Sequence, residues 1–280
     1  MNHELKFFTH NNHNIAYTKW GNGSKLLVCT HGLTRNGRDF DFLANALAEN
    51  YTVICPDMPG RGKSDWLEDF TKYNNNYYVE IVVALIKSLG FEKVDWVGTS
   101  MGGLMGMIAT ALHPHLINKM VLNDIGPFIS AEGMRRIATY IKDEVKFSTQ
   151  EHAQNRFREI YAPFRIETED HWQHFFEHGL RASDAGHWSF NHDPKLGQIF
   201  KGADGNIITM QEFDLWRIWD AIHIPTLVLR GETSDILSRD VAERMAQKAK
   251  LVEFAGFGHV PPLINNEQIE TVKTFLTTSH

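Results

Sequence analysis

Residues 93–112 read KVDWVGTSMGGLMGMIATAL: a short apolar run, a Gly-x-Ser-x-Gly pattern and a helix-forming stretch. This order predicts a strand that turns abruptly into a helix at Ser100, because a Cβ at Gly98 or Gly102 would collide with neighbouring backbone. The turn exposes the Ser100 hydroxyl at a helix N-terminus, where backbone N–H groups favour developing negative charge. A chain of this composition contains the pattern by chance only roughly 0.06 times. The stretch therefore predicts a strand–turn–helix unit that presents a nucleophile.

Apolar runs on both sides of this unit extend it into a sheet. They begin at Leu26, Tyr51, Lys93, Ile117, Ile224 and Ala249. Helical patterns such as YVEIVVALIKSLG, from Tyr78, lie between them. Strands that alternate with helices require crossover connections and a mostly parallel sheet. The sequence therefore predicts the α/β class.

The alternation stops between about Phe128 and Trp219, where charged and aromatic helical segments such as EDHWQHFFEHGLRA take its place. We therefore predict a core of residues 1–127 and 220–280, interrupted by a helical cap of residues 128–219. The cap segment holds four of the seven tryptophans: Trp172, Trp188, Trp216 and Trp219. Aromatic surface above a nucleophile favours a fairly apolar pocket, although the same rings also suit packing of the cap onto the core.

The composition is that of an ordinary globular protein. The 280 residues carry a formal net charge of −6, with 42% hydrophobic and 22% charged residues. These values exclude a disordered or fibrous chain, and with no basic balance we expect no nucleic-acid partner. We find no apolar stretch of membrane-spanning length and no secretory signal, so we expect a cytoplasmic protein. Cys29 and Cys55 are too few for a disulfide framework and are expected to be buried free thiols.

A serine nucleophile needs a base, and the base needs an acid that orients it. His259, in FAGFGHVPP, follows the last apolar run and is the expected base. Asp235, in RGETSD, follows the preceding run and is the favoured acid. Asp124, in LNDIGP, follows the run after Ser100 and is the reserve. Asp57, in CPDMPGRGKSD, is expected to tie down its own loop instead.

An anion pocket is expected beside Ser100. The dipeptide His31-Gly32, in CTHGLTRNG, lies at the end of the run that begins at Leu26. The backbone N–H groups of Leu33 and Met101 are the candidates to point at a substrate carbonyl oxygen, in the manner of an oxyanion hole. Because every residue except proline has a backbone N–H, only the positions of Leu33 and Met101 in the sequence support their assignment to the oxyanion hole.

Two further patterns are expected to carry no site. His171, His174 and His178 share a helical face by their spacing, but no carboxylate or cysteine is placed convincingly with them, so we predict a solvated face and no metal. The run GRGKS at residues 60–64 imitates a phosphate loop, yet Asp57 stands where that loop requires glycine. We therefore predict neither a nucleotide nor another cofactor.

The chain resembles the α/β-hydrolase superfamily. The motifs HGLTRNGRDF, DMPGRGKSD, GTSMGGLMG, RGETSD and FAGFGHVPPL follow one another in that family's order across nearly the whole chain. The resemblance implies an eight-stranded sheet under a cap, with the first strands in the N-terminal thirty residues. It implies Ser100 as nucleophile, His259 as base and Asp235 as orienting acid, in that family's chain order. It also implies Leu33 and Met101 as the oxyanion hole.

The serine at the nucleophile position narrows the range of activities that the family resemblance allows. Haloalkane dehalogenases and epoxide hydrolases place an aspartate there and are poor matches. The resemblance implies a serine hydrolase that cleaves a small or medium carboxylic ester through an acyl-enzyme, with a small-molecule acyl substrate as its partner and no cofactor. Carbon–carbon bond hydrolase, lactonase and perhydrolase chemistry stay open on the same residues, as does a ligand receptor or scaffold with a vestigial site.

Overall fold

The computed structural model describes residues 2–141, 145–202, 204–209 and 211–278. The first part of the chain forms β1 (His3–His10), β2 (His13–Trp20), β3 (Lys25–Thr30), α1 (Asp41–Leu47), β4 (Tyr51–Pro56), α2 (Asn75–Ser88), β5 (Val94–Thr99), α3 (Met101–Leu112) and β6 (Ile117–Asn123). The middle part forms β7 (Phe128–Ile129), α4 (Ala131–Ile141), α5 (Gln150–Ile160), α6 (Glu169–Gly179), β8 (Leu180–Ala182), β9 (Trp188–Phe190) and β10 (Phe213–Asp214). The last part forms α7 (Trp216–Asp220), β11 (Thr226–Gly231), α8 (Arg239–Met245), β12 (Lys250–Phe254) and α9 (Asn266–Thr277).

Eight strands form one sheet in the order β1-β2-β4-β3-β5-β6-β11-β12. The pairings from β4 to β12 are all parallel, whereas β2 runs antiparallel to both β1 and β4. Asn11 and Asn12 join β1 to β2 with φ values of 48° and 64°, a left-handed turn that asparagine tolerates well. The predicted α/β class with a mostly parallel eight-stranded sheet is confirmed.

The sheet is buried on both faces, which explains why its strands are continuous apolar runs. On β3, Leu26 and Val28 pack with residues of α2 and α3, while Leu27 and Cys29 face the opposite side with residues of α1 and α9. Cys29 and Cys55 are free and buried, and burial raises the pKa of the Cys55 thiol well above its ordinary value. A thiol in that state is a poor nucleophile.

The segment between β6 and β11 lies over one edge of this sheet. Its two ends meet where β7 pairs with β10 in antiparallel register. It has its own apolar cluster, which includes Phe157, Trp172 and Phe175 and extends to Val260 in the loop after β12. These contacts support our proposal that residues 128–219 form a cap. Among the described residues, no helix has the length and apolar character needed to cross a membrane.

The turn between β5 and α3 requires both of its flanking glycines. A Cβ on Gly98 would lie 2.3 Å from the carbonyl oxygen of Gly102, and one on Gly102 would lie 2.0 Å from the carbonyl oxygen of Thr30 on β3. Both obstacles are backbone atoms, which cannot move without shifting a strand or a helix. The close contact of β3, β5 and α3 therefore depends on the missing side chains.

We predict that Gly102→Ala destabilises the fold by roughly 3 kcal/mol or more, because the added methyl group forces α3 away from β3. Chemical denaturation of the purified variant measures this loss. Gly133→Ala is the matched control: Gly133 is also helical, and a Cβ added there would meet nothing closer than 3.2 Å. We expect this control to stay within about 1 kcal/mol of wild type. Equal stability of both variants would contradict the packing argument.

Candidate active site

Ser100 occupies a strained backbone conformation at the turn between β5 and α3. Its φ and ψ are 51° and −115°, outside the regions that non-glycine residues normally adopt. The Ser100 N–H donates to the carbonyl oxygen of Asn123 at 3.0 Å, and the Ser100 carbonyl accepts the N–H of Gly103 at 2.9 Å. These bonds and the glycine contacts hold the turn, and Ser100 lines a cavity above the sheet.

The structure brings Ser100, His259 and Asp124 together in one hydrogen-bonded chain. Nε2 of His259 lies 3.0 Å from Oγ of Ser100, and Nδ1 of His259 lies 2.7 Å from Oδ2 of Asp124. Because a carboxylate only accepts, Nδ1 carries the proton and Nε2 is left to accept the serine proton. The Asp124 side chain is fully buried and that of His259 is 10% exposed, so water competes little with either bond.

The prediction that Asp235 is the orienting acid was wrong, because the carboxylate hydrogen-bonded to His259 is that of Asp124. The Asp235 carboxylate is half exposed and forms an ion pair with Arg136 of α4. The chain turns tightly after β11, with Ser234 N–H donating to the carbonyl oxygen of Gly231, and the Ser234 side chain in this turn donates to Asp124. The reserve residue, Asp124, is the carboxylate at the site.

The loop that carries Asp235 nevertheless holds the acid in place. Gly231 N–H donates to Oδ1 of Asp124 at 2.9 Å, and Ser234 Oγ–H donates to Oδ2 at 2.6 Å. With the bond from His259, Asp124 accepts three hydrogen bonds. Ser234 was not predicted as a site residue, because a serine three residues after a glycine is typical of an ordinary turn.

Asn123 is a second residue that the sequence analysis missed. Its backbone oxygen accepts the Ser100 N–H, while its side-chain Nδ2 donates to the carbonyl oxygen of Pro261 at 2.8 Å. Pro261 lies two residues beyond His259. Asn123, which is fully buried, therefore connects the turn at Ser100 to the loop that carries the base.

The predicted oxyanion donors are Leu33 and Met101, of which Met101 directly follows Ser100 in the chain. Leu33 lines the same cavity as Ser100, and Met101 is the first residue of α3, where helical N–H groups have no partner within the helix. Whether both N–H groups converge on one oxygen stays a prediction.

His31 fixes the peptide that carries the Leu33 N–H. Met58 N–H donates to Nε2 of His31 at 2.9 Å, so the proton resides on Nδ1, which donates to the carbonyl oxygen of Gly32 at 2.7 Å. That carbonyl belongs to the same peptide plane as the Leu33 N–H. Burial, with Arg61 nearby, lowers the pKa of His31 to about 3, and the ring therefore stays neutral in its orienting tautomer.

The cavity at Ser100 measures about 270 Å³ and lies between the sheet edge and helices α4, α5 and α6. Its lining is aromatic and aliphatic around a few charged groups: Gly32, Leu33, Thr34, Arg35, Asp39, Phe40, Thr99, Ser100, Arg136, Ile137, Arg156, Glu159, Ile160, Tyr161, Phe164, Phe175, His259, Val260, Pro261 and Pro262.

The four tryptophans of the segment are not among these lining residues. Trp172 stacks on Phe176, and Trp219 is buried beneath the ammonium group of Lys248. Phe40, Tyr161, Phe164 and Phe175 supply the aromatic surface of the cavity instead.

The remaining candidates lie away from Ser100. Asp57 accepts the N–H groups of Lys63, in its own loop, and of Gly37, in the loop after β3, and burial raises its pKa to about 6. His174 and His178 approach the buried carboxylate of Asp41, which the sequence analysis did not place with them, and the ligand atoms of the three lie within 4.8 Å of one another.

Nearby cations make this histidine cluster unfavourable for a metal ion. Asp41 forms a two-pronged ion pair with Arg38, whose carbonyl oxygen lies 2.9 Å from Nε2 of His174. Burial, with Arg38 as a further cause, lowers the pKa of His178 to about 3. The Asp41 carboxylate is thus already neutralised. We interpret the cluster as a contact between α1 and α6.

The two candidate acids are separable by substitution. We predict that Asp124→Asn lowers kcat for p-nitrophenyl acetate by roughly 10³- to 10⁴-fold, because an amide no longer accepts the Nδ1 proton and favours the wrong tautomer. Asp235→Asn is the matched control and should lower kcat by less than about tenfold, since it breaks only a half-exposed ion pair. Steady-state kinetics on both variants decide the assignment, and the reverse ranking would return the role to Asp235.

Comparisons with known proteins identify the family to which the chain belongs. A family model described as the alpha/beta hydrolase fold matches residues 25–265. The 3-hydroxybutyrate-oligomer hydrolase of Cupriavidus necator is 39% identical over 273 residues, which cover 95% of this chain and 93% of that protein. An esterase of Mycobacterium tuberculosis is 25% identical and covers 82% of this chain and 74% of that protein. The crystal structure of an alpha/beta hydrolase from Novosphingobium aromaticivorans is 34% identical, with a TM-score of 0.87 over 98% of each chain. The chain therefore belongs to the α/β-hydrolase family and is an enzyme, a hydrolase.

Proposed function

We propose that this hydrolase cleaves small carboxylic esters through an acyl-enzyme on Ser100. The observation that carries the proposal is the hydrogen-bonded chain from Ser100 through His259 to Asp124, with heavy-atom distances of 3.0 Å and 2.7 Å. A hydroxyl, an imidazole and a buried carboxylate in this order activate a serine for acyl transfer.

Acylation begins when His259 Nε2 takes the proton of Ser100 as Oγ attacks the ester carbonyl. The imidazolium that forms is stabilised by the carboxylate of Asp124. The N–H groups of Leu33 and Met101, in the role proposed for them, hold the negative oxygen of the tetrahedral intermediate. The intermediate collapses as His259 gives its proton to the leaving alkoxide, which departs as an alcohol.

Deacylation repeats these steps with water. His259 takes a proton from a water molecule, and the resulting hydroxide attacks the acyl carbonyl. The second tetrahedral intermediate then releases the carboxylic acid while His259 returns the proton to Ser100. The protein's own groups complete each proton transfer in this cycle.

The substrate class that fits best is a short ester of a hydroxy acid. The cavity of about 270 Å³ is at the small end of ligand pockets, and its aromatic lining suits short aliphatic groups. The Cupriavidus necator relative acts, by its name, on 3-hydroxybutyrate oligomers, which are esters of this size. We therefore propose 3-hydroxybutyrate dimers and trimers as substrates of this enzyme.

Ser100→Ala tests the nucleophile. We expect kcat for the 3-hydroxybutyrate dimer to fall by roughly 10⁴- to 10⁶-fold, because the variant lacks the hydroxyl beside His259 that forms the acyl-enzyme. The variant should keep the stability of wild type, measured by thermal unfolding, since a methyl group occupies less space than the hydroxymethyl group. Retention of more than about a tenth of the wild-type rate would exclude the mechanism.

A substrate panel separates ester hydrolysis from the other chemistries open to these residues. We expect turnover of the 3-hydroxybutyrate dimer and of p-nitrophenyl butyrate to exceed that of a vinylogous diketone, because the latter needs carbon–carbon bond cleavage. Chromatographic product analysis gives the rates. Faster cleavage of the diketone, or labelling of Ser100 by a fluorophosphonate without turnover of any ester, would contradict the proposed function.

A further inference from the structure

Charged side chains, most of them arginines, line the cavity at Ser100 in the described part of the chain. The protein carries a formal net charge of −6. Among the residues that the structure describes, three arginines but only two carboxylates line the cavity at Ser100: Arg35, Arg136, Arg156, Asp39 and Glu159. The low-dielectric aromatic walls between them strengthen the field of these charges. A substrate that carries a carboxylate can bind one of these guanidinium groups, whereas a neutral ester lacks the group that would do so.

Two of the three arginines are already matched by carboxylates of the cavity itself. Arg35 is almost fully buried, forms a two-pronged ion pair with Asp39, and lies against the rings of Phe157 and Tyr161. Arg156 pairs with Glu159 at 2.7 Å, three residues along α5. Each of these pairs brings both of its charges to the lining, so neither changes its net charge.

Arg136 forms an ion pair with Asp235, whose carboxylate does not line the cavity at Ser100. That carboxylate is half exposed and lines a separate recess. Arg136 and His259 line both this recess and the cavity at Ser100. The positive charge of Arg136 therefore lies on the wall between them, on the side of the site where His259 stands. Half-exposed ion pairs are weak, so a second carboxylate can share or replace Asp235 at small cost.

The chemistry of the reaction places a substrate group at this position. His259 protonates the leaving oxygen, so the leaving group must lie beside His259. In a 3-hydroxybutyrate dimer the leaving group ends in a carboxylate, and only the ester oxygen, one CH and one CH₂ separate that carboxylate from the scissile carbonyl carbon. The anionic end of the dimer is thus confined to the neighbourhood of His259, where Arg136 lies.

We propose that Arg136 binds the terminal carboxylate of the leaving group and thereby selects anionic ester oligomers over neutral esters. The inference rests on the proposed function and adds a specificity-determining residue to it. Asp235 positions the guanidinium when the site is empty. A guanidinium offers a planar fork of N–H donors that matches a carboxylate, which makes arginine better suited than lysine for this contact.

The test compares the 3-hydroxybutyrate dimer with the same dimer whose terminal carboxylate is replaced by a carboxamide. We expect wild type to favour the carboxylate form by about 10- to 100-fold in kcat/KM, the range for hydrogen bonds to a charged group. Arg136→Gln should lose most of this preference through a higher KM for the carboxylate form, while kcat/KM for the carboxamide stays within about threefold. Arg136→Lys should retain part of the preference, and rising salt should reduce it in wild type.

Arg156→Gln is the matched control, because it removes the same charge from the same cavity but away from the recess beside His259. We expect its preference for the carboxylate form to stay within about threefold of wild type. The inference would be overturned if Arg136→Gln lowered kcat/KM equally for both dimers. It would also be overturned if wild type showed no preference for the carboxylate form, or a preference that did not depend on salt. None of these results would contradict ester hydrolysis itself. Failure of wild type to cleave either dimer would overturn the proposed substrate class as well.

Discussion

The contact of backbone against backbone at Gly98 and Gly102 is the constraint on which the active site depends. It allows α3 to start in contact with β3 and holds Ser100 at a positive φ that a serine does not adopt by preference. The strain is sustained by hydrogen bonds to Asn123 and Gly103. A looser turn would let the hydroxyl relax away from His259, and the hydrogen bond between them would be lost.

From this turn, the remaining parts are placed by the sheet itself. β5, β6 and β11 are parallel neighbours, so the residues that follow them reach the same edge. Asp124 follows β6 directly, and the turn after β11 contributes Gly231 and Ser234 as its hydrogen-bond donors. Two adjacent strands thus position the carboxylate of Asp124, which is fully buried and accepts three hydrogen bonds. Burial without those donors would cost several kcal/mol.

The same geometry explains what the sequence could and could not predict. Apolar runs and the glycine pattern were sufficient for six of the eight strands, Ser100 and His259, because each depends on local chemistry or on a strand end. The first two strands were expected only from the family resemblance. The local sequence could not show which aspartate orients His259, because Asp124 and Asp235 both follow strands that end beside it. Their roles are set by the tight turn at Gly231. The hydrogen bonds of that turn cannot be predicted from the types of its residues. The place of Arg136 at the cavity could not be predicted, because it depends on how the segment between β6 and β11 folds over the sheet.

The most direct measurement of the central claim is the rate at which a fluorophosphonate modifies Ser100, followed by mass spectrometry of the peptide that contains it. This reaction needs the serine, the base and the orienting acid but no particular substrate contact. We expect modification of Ser100 in wild type and in Asp235→Asn at rates within about tenfold of each other, and a rate at least roughly 100-fold slower in Asp124→Asn. Rapid modification of Asp124→Asn together with slow modification of Asp235→Asn, or modification of another residue in wild type, would contradict the central claim.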